Sequence, residues 1–318
     1  MAVKKPISNT TDPFLFLNYR KCAGIMVSLL DFVYDNCLFR QFKVNDLLFV
    51  EYKCVVNEPK LKIWSQHNYF IYVLSGKKVW KTLQSKYEVF SGQAIFVKKG
   101  ANIVHQFFDN NFCSLIIFVP DHFISDVVKH CDIPLSDLKK KTRLSDSVIR
   151  IQPDPVLAAY FQSVFVYFGN KEKPPSSLLE LKFKELILNV VSSRSNELLS
   201  AYFLSLCEEN KAGMREIMER NFIYNMKLEE FARLSGRSLT SFKRDFMTTF
   251  RTTPGKWLAR KKLEYARHLL ETTDKNINEL TFESGFENPS HFIRIFKQAF
   301  QMTPLQYKKS ILHPTNDF

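Results

Sequence analysis

Polar and basic side chains occur in two groups, 50 residues apart, beside paired phenylalanines. Thr240, Lys243 and Arg244 form the first group, and Ser290 with Arg294 forms the second. Hydroxyl, ammonium and guanidinium groups donate hydrogen bonds to base edges, and one arginine can bond guanine at two atoms simultaneously. These residue types therefore predict recognition of a base sequence.

The two groups belong to an internal repeat. Seven positions recur at an offset of 50 and four upstream positions at an offset of 49, so the second copy has one extra residue between them. The first copy contains Leu228, Phe231, Ser235, Gly236, Phe242, Arg244, Phe246, Phe250, Thr253, Pro254 and Trp257, and the second contains Ile277, Leu280, Ser284, Gly285, Phe292, Arg294, Phe296, Phe300, Thr303, Pro304 and Tyr307. Such regularity indicates one structural unit used twice.

Each copy predicts a helix, a tight turn and a second helix. Gly236 and Gly285 end the first helices, because glycine adopts the left-handed backbone without steric cost. Ser238 caps the second helix of the first copy, and Asn288 followed by Pro289 begins that of the second copy. The repeat is therefore two helix-turn-helix units.

The paired phenylalanines determine which side of each second helix is exposed. Phenylalanines four residues apart share one helix face and turn inward, which leaves the polar side chains outside. We expect these helices, at about 238–250 and 289–300, to be recognition helices in a major groove about 12 Å wide. The candidate DNA contacts are Arg237, Thr240, Lys243, Arg244, Lys261, Lys262, Asn288, Ser290, His291 and Arg294.

A helix over Gly255–Glu271 is predicted to join the two units and to fix their spacing. Two recognition helices on one face of B-DNA enter successive major grooves, about 34 Å apart. Lys261 and Lys262 on the joining helix are candidates for phosphate contacts, and the other basic side chains of this helix are expected to be solvated.

The overall charge agrees with a polyanionic partner. The 318 residues include 45 Lys+Arg and 32 Asp+Glu, which gives a formal net charge of +13. Nucleic acid, an anionic membrane surface and acidic proteins all suit such an excess. The hydrophobic fraction of 45% excludes a mainly disordered chain. No apolar stretch approaches the roughly 20 residues that cross a bilayer, so no membrane partner is expected.

Cysteine usage predicts a reducing compartment. The six cysteines form no C-x-x-C pair and no metal-type cluster, and they are Cys22, Cys37, Cys54, Cys113, Cys131 and Cys207. The basic N-terminus is followed by no apolar leader segment. We therefore expect reduced thiols and a cytoplasmic protein.

The sequence before the repeat changes character once. From about Phe14 to Val119, short apolar runs broken by turn residues predict an antiparallel sandwich or barrel. Helical periodicity follows at Asp121–His130, Asp154–Phe168 and Ser176–Val191. The apolar stripe of this last helix has two interpretations, core packing or the seam of a homodimer.

The repeat closely resembles the AraC/XylS family of bacterial transcription regulators. The resemblance covers about Lys211–Lys309, and its most specific part runs from Gly285 to Tyr307. It implies two helix-turn-helix subdomains that bind double-stranded promoter DNA, with base contacts from the second helix of each. It also implies transcription activation, so RNA polymerase is an expected partner.

Four positions depart from the family pattern. Lys227 replaces the usual Ser/Thr cap of the first unit, and Thr281 replaces the usual alanine. Arg251 and Gln301 lie where the family commonly has glycine after the second helix.

The N-terminal half resembles a degenerate cupin barrel, the effector domain of this family. A metal-binding cupin needs two histidines and a glutamate before its first glycine, and a later histidine. Only His67 and His105 match, and Tyr69 lies near the place of the glutamate. We therefore predict no metal and no cofactor. The residues Trp64, His67, Tyr69, Tyr72 and His105 either line a site for a small-molecule effector or belong to the core. A regulatory protein is the other expected kind of effector.

The predicted fold class is α+β with two domains. A cupin-like antiparallel β-barrel followed by helices occupies residues 1–170, a helical segment that could dimerise occupies 171–209, and an all-α DNA-binding domain occupies 210–312. Two other function classes remain open at this point. A cupin-type enzyme would need a nucleophile–base set or a ligand trio, and neither is evident. A non-DNA interaction protein would use its basic half against an acidic partner.

Overall fold

A computed structural model describes residues 26–36, 39–53, 60–82, 85–106, 112–131, 146–152, 155–170, 172–207 and 213–312. The chain divides into two compact units, Met1–Cys207 and Glu208–Phe318. The predicted beginning of the strand region at Phe14, together with Cys22, Cys37 and Cys54, lies outside the described residues.

The first unit contains two β-sheets. Their strands are β1 (Met26–Ser28), β2 (Arg40–Val44), β3 (Leu47–Lys53), β4 (Lys60–Ser65), β5 (Asn68–Ser75), β6 (Lys77–Lys81), β7 (Lys86–Phe90), β8 (Ala94–Val97), β9 (Gly100–Gln106), β10 (Cys113–Val119) and β11 (Val148–Ile151). One sheet has five strands in the order β1-β4-β9-β6-β7, and the other has six in the order β11-β8-β5-β10-β3-β2. All described pairs are antiparallel except β1 with β4, which is parallel.

The two sheets pack face to face, and helices cover the other face of the six-stranded sheet. Val50, Ile71 and Ile116 of the larger sheet share one buried cluster with Ile63 and Trp80 of the smaller sheet. The helices of this unit are α1 (Leu29–Tyr34), α2 (Asp121–Lys129), α3 (Pro155–Gly169), α4 (Ser176–Ser192) and α5 (Glu197–Ser205), with a short 3-10 turn at Arg194–Asn196.

Aromatic pairs join the six-stranded sheet to its helices. Phe49 of β3 stacks on Phe183 of α4 with ring centroids 3.9 Å apart. Tyr72 of β5 stacks on Phe161 of α3 at 4.7 Å. Because both faces of this sheet are buried, its strands are nearly continuous apolar runs, as in Ser114–Val119.

The expected closed antiparallel barrel is corrected to two open, stacked sheets. Within the described residues, β1 and β7 are the edges of one sheet, and β11 and β2 are those of the other. Helices bury the outer face of the larger sheet, so apolar area is removed from water without closure of the strands into a barrel. The mixed α+β architecture itself is as predicted.

The helices of the predicted segment 171–209, α4 and α5, belong to the core of the first unit rather than to a segment of their own. Leu179, Phe183, Leu186, Ile187 and Val190 of the predicted stripe are all completely buried in the cluster beneath the six-stranded sheet. Core packing is therefore the correct interpretation for these five residues. Its remaining member, Leu178, is 37% exposed.

Two elements of the first unit were not predicted. Helix α1 interrupts the predicted strand region, and the hydroxyl of Ser28 caps it by accepting a bond from the Asp31 amide at 3.4 Å. Strand β11 follows the predicted strand region and pairs with β8. Both are short, so their periodicity is too weak to identify them.

The second unit is entirely helical in its described part. Its helices are α6 (Met214–Asn221), α7 (Leu228–Leu234), α8 (Leu239–Phe250), α9 (Pro254–Thr272), α10 (Ile277–Glu283), α11 (Pro289–Phe300) and α12 (Pro304–Leu312). Helices at the two predicted recognition segments are confirmed as α8 and α11, and the joining helix is confirmed as α9. The extra residue of the second copy is also confirmed, since the turn 284–288 is one residue longer than the turn 235–238. Among the described residues, no helix has the length and apolarity required to span a membrane.

Candidate nucleic-acid interface

The first helix-turn-helix unit holds its recognition helix by a turn, a cap and two buried rings. Gly236 has φ +65° in the turn, and the Ser238 hydroxyl accepts a bond from the Ser241 amide at 3.3 Å to begin α8. Phe242 and Phe246 are completely buried, with ring centroids 5.7 Å apart. These inward rings fix the rotation of α8 about its axis.

The opposite side of α8 is polar and exposed. Thr240, Lys243 and Arg244 are all exposed, and the side chain of Arg244 is 76% accessible. The Arg244 guanidinium lies 3.3 Å from Asp245 and 3.4 Å from the Ser241 hydroxyl. Such exposed contacts are weak, so the guanidinium can leave them for a base.

Arg237 is held more firmly than Arg244. Its Nε donates to Asp245 at 3.0 Å, and its Nη1 donates to the Ser235 carbonyl at 2.8 Å. The hydrogen bond from Arg237 lowers the pKa of Asp245, and Arg244 adds to this effect. Arg237 therefore ties the turn to the recognition helix, and base contact by this residue stays a prediction.

The second helix-turn-helix unit repeats this arrangement, and the caps of its helices are stronger. Asn276 accepts from the Glu279 amide at 2.9 Å, and Glu279 accepts from the Asn276 amide at 3.2 Å, which completes a capping box. Gly285 has φ +88° in the turn. The side chain of Asn288 accepts from the His291 amide at 3.1 Å, so its amide oxygen holds the helix end.

The exposed side of α11 carries Ser290, His291 and Arg294, opposite the completely buried Phe292 and Phe296. Arg294 Nη2 lies 3.1 Å from His291 Nδ1. Among the described residues, no carboxylate forms an ion pair with this guanidinium, and the side chain is exposed. The guanidinium is therefore available to a ligand outside the protein.

The two lysines predicted for phosphate contact lie against the protein. Lys261 Nζ lies 2.9 Å from a carboxylate oxygen of Glu219 in α6. Lys262 Nζ donates to Asn225 Oδ1 at 2.7 Å and to the Gly285 carbonyl at 2.8 Å. Lys256, at the beginning of α9, is exposed. Sequence reasoning did not select Lys256, because a basic helix alone does not tell which of its cations point outward.

The five candidate effector residues are not brought together. Tyr69 is buried between the sheets, whereas Tyr72 faces the helices, because residues three apart on a strand point to opposite faces. Burial raises the pKa of the Tyr69 phenol far above its usual value. Trp64 and His105 lie on β4 and β9 of the five-stranded sheet. These five residues therefore do not form one site, and Tyr69 and Tyr72 fit the alternative interpretation as core residues.

His67 lines a surface pocket. The pocket has a volume of about 210 Å³, and Asp31, Lys43, Asp46 and Gln66 also line it. Burial lowers the pKa of His67, although Asp46 and Asp121 oppose this effect. No cluster of three His, Cys, Asp or Glu side chains that could hold a metal ion occurs within the described ranges.

Two family models match this chain, one in each of its compact units. Residues 68–202 match the family model of the ExsA N-terminal regulatory domain, and residues 231–310 match that of a helix-turn-helix domain. The chain is 26% identical over 242 residues to the virulence regulon transcriptional activator VirF of Yersinia enterocolitica, which covers 76% of this chain and 89% of VirF.

Two further proteins extend the comparison. The chain is 25% identical over 254 residues to the transcriptional regulator ExsA of Pseudomonas aeruginosa, with 79% of this chain and 90% of ExsA covered. The solved structure of ToxT from Vibrio cholerae aligns with a TM-score of 0.40 and 13% identity, over 83% of this chain and 98% of that chain.

Proposed function

The chain belongs to the AraC/XylS family of transcription regulators, and we propose that it contacts promoter bases through α8 and α11 together. It is a DNA-binding regulator rather than an enzyme, like the relatives that it matches. The observation that carries the proposal is the repeated exposed face, with Arg244 on α8 and Arg294 on α11.

The proposed base contacts come from the exposed halves of these two helices. Thr240, Lys243 and Arg244 contact one major groove, and Ser290 and Arg294 contact the next, about 34 Å away. Each arginine is proposed to bond guanine O6 and N7. His291 lies beside Arg294 and supports it, while Arg237 and Asn288 hold the turn and the helix end. Lys261 and Lys262, which were predicted to contact phosphate, are not proposed as DNA contacts, because Glu219 and Asn225 hold their ammonium groups.

Replacement of single arginines tests the proposed contacts. Duplexes selected by the full chain from a random pool define its preferred sequence. Arg244→Ala and Arg294→Ala should each cost about 1–3 kcal/mol of discrimination at one base pair and leave the other positions unchanged. The control is Arg260→Ala, which removes a cation of α9 that is 63% exposed. Loss of discrimination at every position, or at none, would contradict these assignments.

We further propose that the chain activates transcription with RNA polymerase and that its first unit receives an effector. VirF is named as a transcriptional activator, and a model named for a regulatory domain matches the first unit. The pocket beside His67 is the proposed place for a small molecule, and a protein effector would instead cover the surface around it. The chain should raise transcript yield from purified polymerase on a promoter with its selected site, and unchanged yield argues against activation.

We also propose that the protein forms a homodimer through the exposed side of α4. Leu178, Leu181 and Leu188 are 37%, 60% and 36% exposed. Their spacings of three and seven residues are those of a seam between paired helices. Ion pairs within the helix join Glu180 with Lys184 and Lys182 with Glu185, and Glu185 lies between Leu181 and Leu188 on this face.

A further inference from the structure

Lys262 is turned into the protein at the middle of α9. Its ammonium has three N–H donors, and two of them bond Asn225 Oδ1 at 2.7 Å and the Gly285 carbonyl at 2.8 Å. The ring of Phe286 lies 5.9 Å from the same nitrogen. These contacts leave little of the ammonium for a DNA phosphate.

The partners of Lys262 belong to different helix-turn-helix units. Asn225 precedes α7 of the first helix-turn-helix unit, whereas Gly285 and Glu287 lie in the turn before α11 of the second helix-turn-helix unit. Asn225 Nδ2 also donates to Glu287 Oε1 at 3.0 Å. We call Ile223, Asn225, Lys262, Gly285 and Glu287 the junction.

The backbone at the junction is packed without space for a side chain. A Cβ atom placed on Gly285 would lie 2.3 Å from the Ile223 carbonyl oxygen. The turn of the second helix-turn-helix unit therefore lies directly against the segment that leads into the first helix-turn-helix unit. Helix α9 is thus not the only connection between the two helix-turn-helix units.

We propose that Lys262 is a positioning residue that fixes the distance and rotation between the recognition helices α8 and α11. This inference rests on the proposed use of both helices in DNA. A long helix such as α9 can bend along its length at a small cost in free energy. A second attachment at its middle therefore restrains the helix-turn-helix unit that follows its far end. The junction thereby selects the number of base pairs between the two contacted segments.

A spacing series on DNA distinguishes this role from a phosphate contact. The probes are the duplex selected by the full-length wild-type chain and derivatives with one or two base pairs inserted or deleted between the two contacted segments. Wild type should lose about tenfold in affinity for a one-base-pair change, because α11 then meets its groove displaced and rotated. Lys262→Met should reduce this loss to about threefold, with base preferences within each segment unchanged.

Three companion variants control this experiment. Lys262→Arg keeps a charged donor and should restore the wild-type spacing profile. Lys256→Met removes an exposed lysine of the same helix and should leave the spacing profile unchanged. Asn225→Ala opens the junction from the other side, so it should reproduce the effect of Lys262→Met, and the double variant should add nothing further. Asn225→Ala also serves if Lys262→Met fails to fold.

A measurement without DNA separates this inference from the proposed function. Hydrogen exchange of the amides of Gly285 and Phe286, which bond Phe282 and Thr281 carbonyls, should be faster in Lys262→Met and unchanged in Lys256→Met. If exchange is faster in Lys262→Met but the wild-type chain shows no preference for any DNA sequence, the proposed function is refuted. The contacts of Lys262 at the junction would still be supported. Unchanged exchange, an unchanged spacing profile, or a uniform loss of affinity with a shallower salt dependence would each overturn the positioning role.

Discussion

Arg244 and Arg294 occupy equivalent places in the repeat, yet their neighbours differ. Arg244 is followed by Asp245, whose carboxylate lies 3.3 Å from it and also binds Arg237. Position 295 is Ile295, so Arg294 has a histidine rather than a carboxylate beside it. To bond a base, Arg244 must give up an ion pair, whereas Arg294 has none with any residue that the structure describes. An exposed pair of this kind contributes up to about 1 kcal/mol, so we expect the smaller loss of specificity in Arg244→Ala.

Gly285 and Gly236 offer a matched pair of substitutions at the residue scale. Both have positive φ, but a Cβ on Gly236 meets nothing within 4 Å, whereas one on Gly285 meets the Ile223 backbone. Gly236→Ala should therefore lower the free energy of unfolding by about 1 kcal/mol through backbone strain alone. Gly285→Ala should lower it by about 3 kcal/mol or more, because steric overlap adds to the strain.

Urea unfolding followed by circular dichroism measures this difference. Equal losses for the two glycine variants would mean that the second turn does not lie as tightly against Ile223 as described. An intact Gly285→Ala variant with unchanged stability would contradict the close packing at the junction itself.

At the scale of elements, both recognition helices end in the same uncommon way. Arg251 has φ +53° and Gln301 has φ +60°, although both carry side chains. The left-handed backbone at these helix ends explains why the family commonly has glycine there. The two substitutions away from glycine therefore cost stability without a change of fold.

Restoring glycine at these ends should stabilise the second unit. Arg251→Gly and Gln301→Gly should each raise the free energy of unfolding by up to about 1 kcal/mol, since glycine adopts positive φ without strain. Lys297→Gly is the control, because it lies inside α11 and should lower stability by about 1 kcal/mol. A lower melting temperature in Arg251→Gly would show that its side chain has a stabilising contact outside the helix end.

The helices of the second unit were predictable because their signals are local. Gly236, Ser238 and Asn288 mark helix ends within one turn of the residues that they affect, and the phenylalanine pairs set the buried face. Even the altered cap was compensated locally, since Glu230 accepts from the Lys227 amide at 2.7 Å. Thr281 was likewise accommodated, because its buried hydroxyl donates to the Ile277 carbonyl at 2.7 Å.

Contacts between distant segments were not predictable from such signals. The inward direction of Lys262 depends on Asn225, 37 residues away, and nothing in the sequence near Lys262 indicates it. Tyr69 and Tyr72 were grouped by proximity in sequence, although strand geometry sends them to opposite sides of the sheet. The burial of the outer face of the six-stranded sheet depends likewise on helices far along the chain.

At the scale of the whole molecule, the proposed dimer would allow two DNA-binding units to act together. Leu181→Glu places a charge in the leucine face and should shift the protein to a monomer in sedimentation velocity at micromolar concentration. Leu198→Glu is the matched control, since Leu198 is 50% exposed on α5, outside this face. A monomeric wild type, or a Leu181→Glu variant that still dimerises, argues against this surface.

The proposed function requires that α8 and α11 of one chain bind DNA at the same time. Hydroxyl-radical footprinting of the full chain on its selected duplex, combined with interference by guanine N7 methylation, tests it most directly. We expect two contacted major-groove segments on one face of the duplex, about 10 base pairs apart, and Arg294→Ala should abolish the interference in only one of them. A single contacted segment, or two segments on opposite faces, would show that the two helices do not bind one duplex together.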